Sequence, residues 1–172
     1  MSTVEETIVV AVPVSTAYNQ WTQFKSFPRF MTVVKRVEQI RPNLTRWVIG
    51  VGPVRHEFDA EIVEQRPDSL VTWRSLGRRL AHRGEVSFRA TAPDRTEVSV
   101  RIRLRSHGAP GLRTHAARPV RRALLAELGH FKEFIEGLGH EGGAWRGTIH
   151  DGHVRPLETE PARSRVPHWP VG

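Results

Sequence analysis

The chain has 172 residues, 38% of them hydrophobic, which is enough for one domain with a sizeable core and cramped for two. It contains no cysteine, which excludes disulfides, thiolate metal sites and a cysteine nucleophile. Twenty-six basic against eighteen acidic residues leave a formal charge of +8, but only Lys25, Lys35 and Lys132 of the basic set are lysines, the skew a GC-rich coding sequence produces. No arginine run alternates with aromatics as a base-stacking platform does, so no nucleic-acid partner is expected. No apolar run reaches the roughly 18 residues of a membrane span, and Met1 to Glu6 lacks the order of a signal peptide. A soluble, cytoplasmic protein without a membrane span is the expectation.

Residues 4–12 end in an alternating run with Ile8, Val10 and Val12 on one face, which predicts a strand closed by Pro13. Ser15 has the chemistry of a helix N-cap, with Ala17, Tyr18, Trp21 and Phe24 at helical spacing behind it. A second short helical turn is expected around Pro28, Phe30 and Met31. From Val33 to His107 the pattern is strand after strand, a predicted six-stranded meander.

Antiparallel partners share a face of the sheet, so each turn length predicts a pairing. The Gly52-Pro53 turn sets Ile49 opposite His56 and Trp47 opposite Phe58. A loop from Arg66 to Ser69 sets Ile62 opposite Trp73 and Ala60 opposite Ser75. Gly77 to His82 sets Trp73 opposite Val86 and Val71 opposite Phe88. Pro93-Asp94-Arg95 sets Phe88 opposite Val100 and Val86 opposite Ile102. The other face then aligns Glu61, Arg74, Glu85 and Arg103 with alternating sign, in pairs worth roughly 0.2–1 kcal/mol each.

After a Gly/Pro loop at 108–111, a long helix is expected from about Arg118 to Leu138. Its apolar stripe is Val120, Leu124, Leu128, Phe131, Ile135 and Leu138. Beyond His140 there are five glycines and four prolines with little apolar content and no periodicity. Residues 1–140 are therefore expected to form the domain, and 141–172 a Gly/Pro-rich C-terminal tail, mobile or loosely docked.

A strand, two short helices, a meander and one long C-terminal helix make an α+β helix-grip arrangement, a curved antiparallel sheet of about seven strands wrapped round the helix. Three early segments stand out: Val9-Val10-Ala11-Val12-Pro13 with Tyr18-Asn19-Gln20-Trp21, Phe27-Pro28-Arg29-Phe30-Met31, and Phe58-Asp59-Ala60-Glu61-Ile62. Thr72-Trp73-Arg74-Ser75, Gly84-Glu85-Val86-Ser87-Phe88 and Phe131-Lys132-Glu133-Phe134-Ile135-Glu136 continue the pattern. Through these segments the sequence resembles the SRPBCC superfamily, the START-like and polyketide cyclase/dehydrase group. Gly143-Ala144-Trp145-Arg146-Gly147 is similar to the segment that follows this domain in actinobacterial members. In the aromatase/cyclase branch, the resemblance places a functional tyrosine where this chain has Val34 and a functional arginine near Gln65. The chain's own tyrosine, Tyr18, has a packing role by its helical spacing.

A curved sheet round one helix leaves an elongated apolar space, the usual place for a small hydrophobic ligand. Trp47, Phe58, Trp73, Phe88, Leu124, Leu128 and Phe131 are expected to line it, or else simply to fill the core. The inward face carries few polar groups, and His56, Ser75 and His82 are expected together toward one end of the sheet. A histidine can relay protons in enolisation or dehydration and a serine can orient a carbonyl, so these three are the candidate catalytic residues; an idle histidine at the pocket mouth is the plainer alternative.

No histidine spacing converges three ligands and no Gly-rich phosphate loop follows a strand, so neither metal nor cofactor is expected. Arg113, Arg118, Arg121 and Arg122 lead into the long helix near the expected cavity entrance, with no acidic neighbour closer than Glu127. They would hold an anionic head group, dock an acidic acyl carrier protein, or form a solvated basic face with no partner. Two functions share the expected cavity: a cyclase or dehydrase acting on a polyketide-like substrate, and a non-catalytic carrier or sensor of a lipid, isoprenoid or quinone.

Overall fold

The computed structural model describes residues 2–78, 81–104 and 110–155. Strand β1 (Ser2–Val10) leads through Pro13 into α1 (Val14–Trp21) and a 3₁₀ helix (Phe24–Arg29). The meander follows as β2 (Val34–Arg41), β3 (Leu44–Val51), β4 (Val54–Arg66), β5 (Leu70–Leu76), β6 (His82–Ala92) and β7 (Arg95–Leu104). Helix α2 (Pro110–Leu138) comes next, then the short strands β8 (Thr148–His150) and β9 (His153–Arg155). The sheet is antiparallel in the order β1-β7-β6-β5-β4-β3-β2, so the first strand pairs with the last of the meander. It curves round α2 in the helix-grip arrangement. No helix among the described residues is long and apolar enough to cross a membrane.

Local chemistry explains most element ends, with two departures from expectation. Helix α1 begins directly behind Pro13, whose carbonyl accepts the Ala17 N–H at 3.1 Å, and no side chain caps it. Ser15 is thus inside the helix rather than its N-cap. Helix α2 starts at Pro110, eight residues ahead of the expected Arg118, and contains Pro119. A proline lacks the N–H for the bond to the preceding turn, and in sequence it marks a helix start. Leu128, Phe131 and Ile135 of the predicted stripe are buried, but Leu138 at the end is 42% exposed. The helix is tied to β1 by polar contacts: Lys132 Nζ donates to the Val9 carbonyl at 2.8 Å, and Glu136 accepts the Ala11 N–H at 2.8 Å. Lys132 Nζ also lies 2.6 Å from Glu136, and this hydrogen bond is the main cause holding the Glu136 carboxyl below its ordinary pKa.

The β3–β4 and β4–β5 pairings follow the turn lengths: Trp47 faces Phe58, Ile49 faces His56, Ile62 faces Trp73 and Ala60 faces Ser75. The next two pairings are each offset by two residues. Trp73 faces Gly84, not Val86, and Val71 faces Val86, not Phe88. Across β6 and β7, Phe88 faces Val98 and Val86 faces Val100, with Thr91 bulged out next to the turn. The reason for the first offset is volume. A Cβ at Gly84 would lie 2.0 Å from Trp73 Cζ2, so the indole lies flat where the opposite strand has no side chain. There its Nε1 donates to His82 Nε2 at 3.1 Å.

The offset also breaks the expected sign ladder. Glu61 pairs with Arg74 at 3.3 Å, but Arg74, Arg83 and Arg103 then stand side by side on β5, β6 and β7, while Glu85 faces Arg101. Gly84→Val is expected to expel the indole, break its bond to His82 and cost about 1–3 kcal/mol by overpacking. A denaturant midpoint together with tryptophan fluorescence measures this, and an unchanged midpoint would contradict the stacking.

Residues 141–155 are not a loose tail. Strand β4 outruns β3, and its far end would be an open edge beyond Ile62. The β8–β9 hairpin covers it: Gln65 pairs with Ile149, and the bulged residue Val63 accepts the Gly152 N–H at 2.9 Å. Glu64 accepts the Asp151 N–H at 3.1 Å, and that bond is the main cause of its lowered pKa. Ile149 is wholly buried, and Trp145 packs against the core. Arg146 bridges Asn19 (2.6 Å) and Asp68 (2.9 Å) with its guanidinium 5.7 Å from the Tyr18 ring centre. Burial pushes the Tyr18 hydroxyl up to about 12, partly opposed by the Gln65 amide and Arg146. The expected boundary at 140 therefore does not end the folded part; residues 156–172 lie outside the described residues.

Candidate functional site

Between the inner face of the sheet and α2 lies a cavity of about 570 Å³. This is inside the roughly 300–1,000 Å³ range of small-molecule sites. Alternation along β3, β4 and β5 turns Trp47, Ile49, Ala60, Ile62, Val71 and Trp73 toward it, and α2 contributes Leu124 and Leu128. The α1 and 3₁₀ segments supply Trp21, Phe24 and Phe27, and Met31 follows just behind them. Their rings interlock edge-on: Trp21 with Phe27 at 5.4 Å, and Phe27 with Trp47 at 5.4 Å. Polar groups on the wall are few. The Thr45 hydroxyl is used twice, accepting from Trp47 Nε1 at 2.7 Å and donating to the Ala60 carbonyl at 3.2 Å. His56 lies on the wall but is exposed, and Glu127 is buried.

Of the expected pocket residues, Trp47, Trp73, Leu124 and Leu128 lie on this wall, whereas Phe58, Phe88 and Phe131 do not. Phe58 stacks on Trp47 at 6.4 Å and meets the His82 ring at 5.1 Å. Phe88 packs edge-on against Tyr18 at 5.4 Å, and Phe131 against Trp21 at 5.1 Å. The rings of α1 pack against Phe88 and Phe131, which become core, whereas Phe58 is half-buried and stands outside that core. The Trp21, Phe24, Phe27 and Met31 wall was not singled out from the sequence, although Phe27-Pro28 and the helical spacing of Trp21 and Phe24 were the available signals.

The three candidate catalytic residues do not converge on the cavity. The Ser75 hydroxyl accepts the His82 N–H at 2.8 Å and donates to the His82 carbonyl at 3.2 Å, which clips the start of β6 to the end of β5. His82 accepts from Trp73, and neither it nor Ser75 lies on the cavity wall. His56 stands apart on β4 opposite Ile49. Among the described residues no group of three or more His, Asp or Glu side chains could hold a metal ion. At the α2 end, Arg121 has an acidic neighbour after all, Glu6 at 3.6 Å on β1, while Arg122 is exposed. The side chains of Arg113 and Arg118 lie outside the described part of the chain.

Residues 10–133 match the family model described as polyketide cyclase/dehydrase and lipid transport. An uncharacterised 17.2 kDa protein from the melC2-rnhH intergenic region of Streptomyces lincolnensis is 44% identical over 149 residues, covering 87% of this chain and 99% of that protein. Among solved structures, the di-domain ARO/CYC BexL of the BE-7585A biosynthetic pathway superposes with a TM-score of 0.69 at 17% identity, over 79% of this chain and 47% of that one. A START superfamily protein from Mycobacterium smegmatis superposes with a TM-score of 0.61 at 15% identity, over 79% of this chain and 95% of that one. At those identities the two structures speak for the fold alone. The match to the family model over most of the chain, with its helix-grip fold and apolar cavity, places this protein in the polyketide cyclase/dehydrase and lipid transport family.

Proposed function

We propose that the chain binds a hydrophobic small molecule in the cavity between sheet and α2, as a carrier or sensor of an apolar ligand. The observation that carries this reading is the cavity itself, about 570 Å³ with almost wholly apolar walls. Apolar walls supply affinity by removing ligand surface from water, at roughly 25 cal/mol per Å². Turnover by His56, Ser75 and His82 has less support, because two of them serve the β5–β6 pairing and only His56 reaches the wall. A cyclase or dehydrase acting on a polyketide-like substrate is the second reading; it would use the same space, and the description of the matching family, which includes polyketide cyclase/dehydrase, favours it. Docking of an acyl carrier protein at Arg121 and Arg122 is weakened by the Arg121–Glu6 pair.

The experiment is native mass spectrometry of the purified protein with organic extraction, followed by titration with naphthalene as an apolar probe. A co-purified apolar compound, or one-to-one naphthalene binding with a dissociation constant in the micromolar range, is expected. An empty protein that also fails to bind naphthalene would overturn the reading.

A further inference from the structure

The outer face of the sheet carries charges that its own residues leave unbalanced. Register sets Arg74 opposite Arg83 and Arg83 opposite Arg103, so three arginines stand side by side on β5, β6 and β7. Like charges directly opposite on neighbouring strands destabilise a sheet. One row along, Arg101 has Glu85 opposite it on one side and Glu5 at 3.2 Å on the other. Arg74 has Glu61 at 3.3 Å. Arg83 and Arg103 are exposed, and among the described residues no carboxylate pairs with either. These arginines do not stand on an open plane. A groove of about 400 Å³ lies over them, lined by all four together with Thr72, Glu85 and Asp151. Asp151 reaches it because the β8–β9 turn folds against the sheet. The Gly152 N–H bonds the Val63 carbonyl, and a Cβ at Gly152 would lie 2.8 Å from Glu61 Oε1. Alternation puts Arg74 on the face away from the apolar cavity.

We infer that this groove is a binding site for a compact oxyanion, the diphosphate group of a small molecule, held between Arg83 and Arg103. A guanidinium donates two parallel N–H bonds to a phosphate, so arginines on adjacent strands suit a group with several oxygens. The arginine row spans two strand spacings, roughly 10 Å, which two linked phosphoryl groups match better than one. The bound charge also offsets the repulsion within the row. Glu85 and Asp151 on the lining limit the ligand: they repel an extended anionic surface, such as a membrane or a nucleic acid, and tolerate a short one. The site is separate from the cavity, so its ligand binds alongside the apolar one rather than in its place.

Calorimetric titration of sodium pyrophosphate at fixed ionic strength tests this on the wild type, Arg83→Gln, Arg103→Gln and Arg95→Gln. The wild type is expected to bind one pyrophosphate with a dissociation constant below about 1 mM. Arg83→Gln and Arg103→Gln should each weaken it about tenfold or more. Arg95 starts β7 at the opposite end from Arg103 and is not on the groove lining, so Arg95→Gln removes the same charge and should leave the affinity unchanged. All three side chains are exposed, so the variants are expected to fold. A wild type that does not bind, or equal weakening in all three variants, overturns the inference; the latter would mean that net charge alone attracts the anion. Phosphatidylglycerol vesicles form the second arm. Retention on them that needs Arg83 and Arg103, with pyrophosphate unbound, would assign the groove to a membrane surface and overturn the inference as well. Each of these outcomes leaves the cavity reading standing, because naphthalene binding tests that reading separately.

Discussion

Ending the chain at His140 is expected to destabilise the domain by about 3 kcal/mol or more relative to the same chain ended at Arg155. The removed segment buries Ile149 completely, and full burial of one such side chain is worth about 1.5–3 kcal/mol. It also takes away the packing of Trp145 and the bridge from Arg146 to Asn19 and Asp68. The far end of β4 would be left as an open edge, with the Val63 carbonyl and Glu64 stripped of their backbone partners. For a domain of this size the loss amounts to a fall in melting temperature on the order of 6–12 °C. Equal melting temperatures for the two chains would show that the hairpin contributes nothing.

Acid gives the same docking a second readout. Glu64, through the Asp151 N–H, and Glu141, through the Asn19 amide, are both held below the ordinary glutamate value of 4.5. A carboxyl with a depressed folded-state pKa stabilises the fold at pH above its unfolded value, and that stabilisation is lost as the pH falls through the depressed value. The advantage of the chain ended at Arg155 should therefore be full at neutral pH and narrow below about 4.5. A gap that widens on acidification would mean that these carboxylates do not hold the segment.

The second large effect is on binding. Leu124→Trp is expected to weaken naphthalene binding tenfold or more, a loss of about 1.4 kcal/mol or greater. Leu124 is half-buried on the cavity wall, so an indole there enters the space the ligand needs. Leu128 on the same wall is 1% exposed and packed into the core as well, so a tryptophan there would add an overpacking cost of about 1–3 kcal/mol and blur the result. The control is Leu125→Trp, one residue on and 49% exposed, which should leave affinity unchanged. Calorimetry on the two variants decides the matter. Equal affinities would place the ligand somewhere other than between sheet and α2.

The succession of strands, the two short helices and the long helix were legible in the sequence because each rests on local periodicity, whereas the pairing of β1 with β7 is seen only in the fold. Alternation at Ile8, Val10 and Val12, and steps of three and four from Leu124 to Ile135, follow from the backbone geometry of strand and helix. Two turn lengths were also enough to set Trp47 opposite Phe58 and Ile62 opposite Trp73. The next register was not readable in the same way, because a slip of two residues leaves every side chain on its own face. What decided it was three-dimensional: the Trp73 indole lies over Gly84 in space that a Cβ there would take.

The segment after His140 escaped for a related reason. Its burial comes from the unpaired end of β4 and from Tyr18, Asn19 and Asp68, none of which its own composition reveals. Glu127 shows the limit most directly. Beside Leu128 it could stand at the polar margin of an amphipathic stripe, and only the packing of α2 against the sheet puts its carboxyl out of reach of water. Periodicity determined which elements form and which faces meet; the volumes and unpaired edges brought together in the folded chain decided where the cavity ends and which polar group remains on its wall.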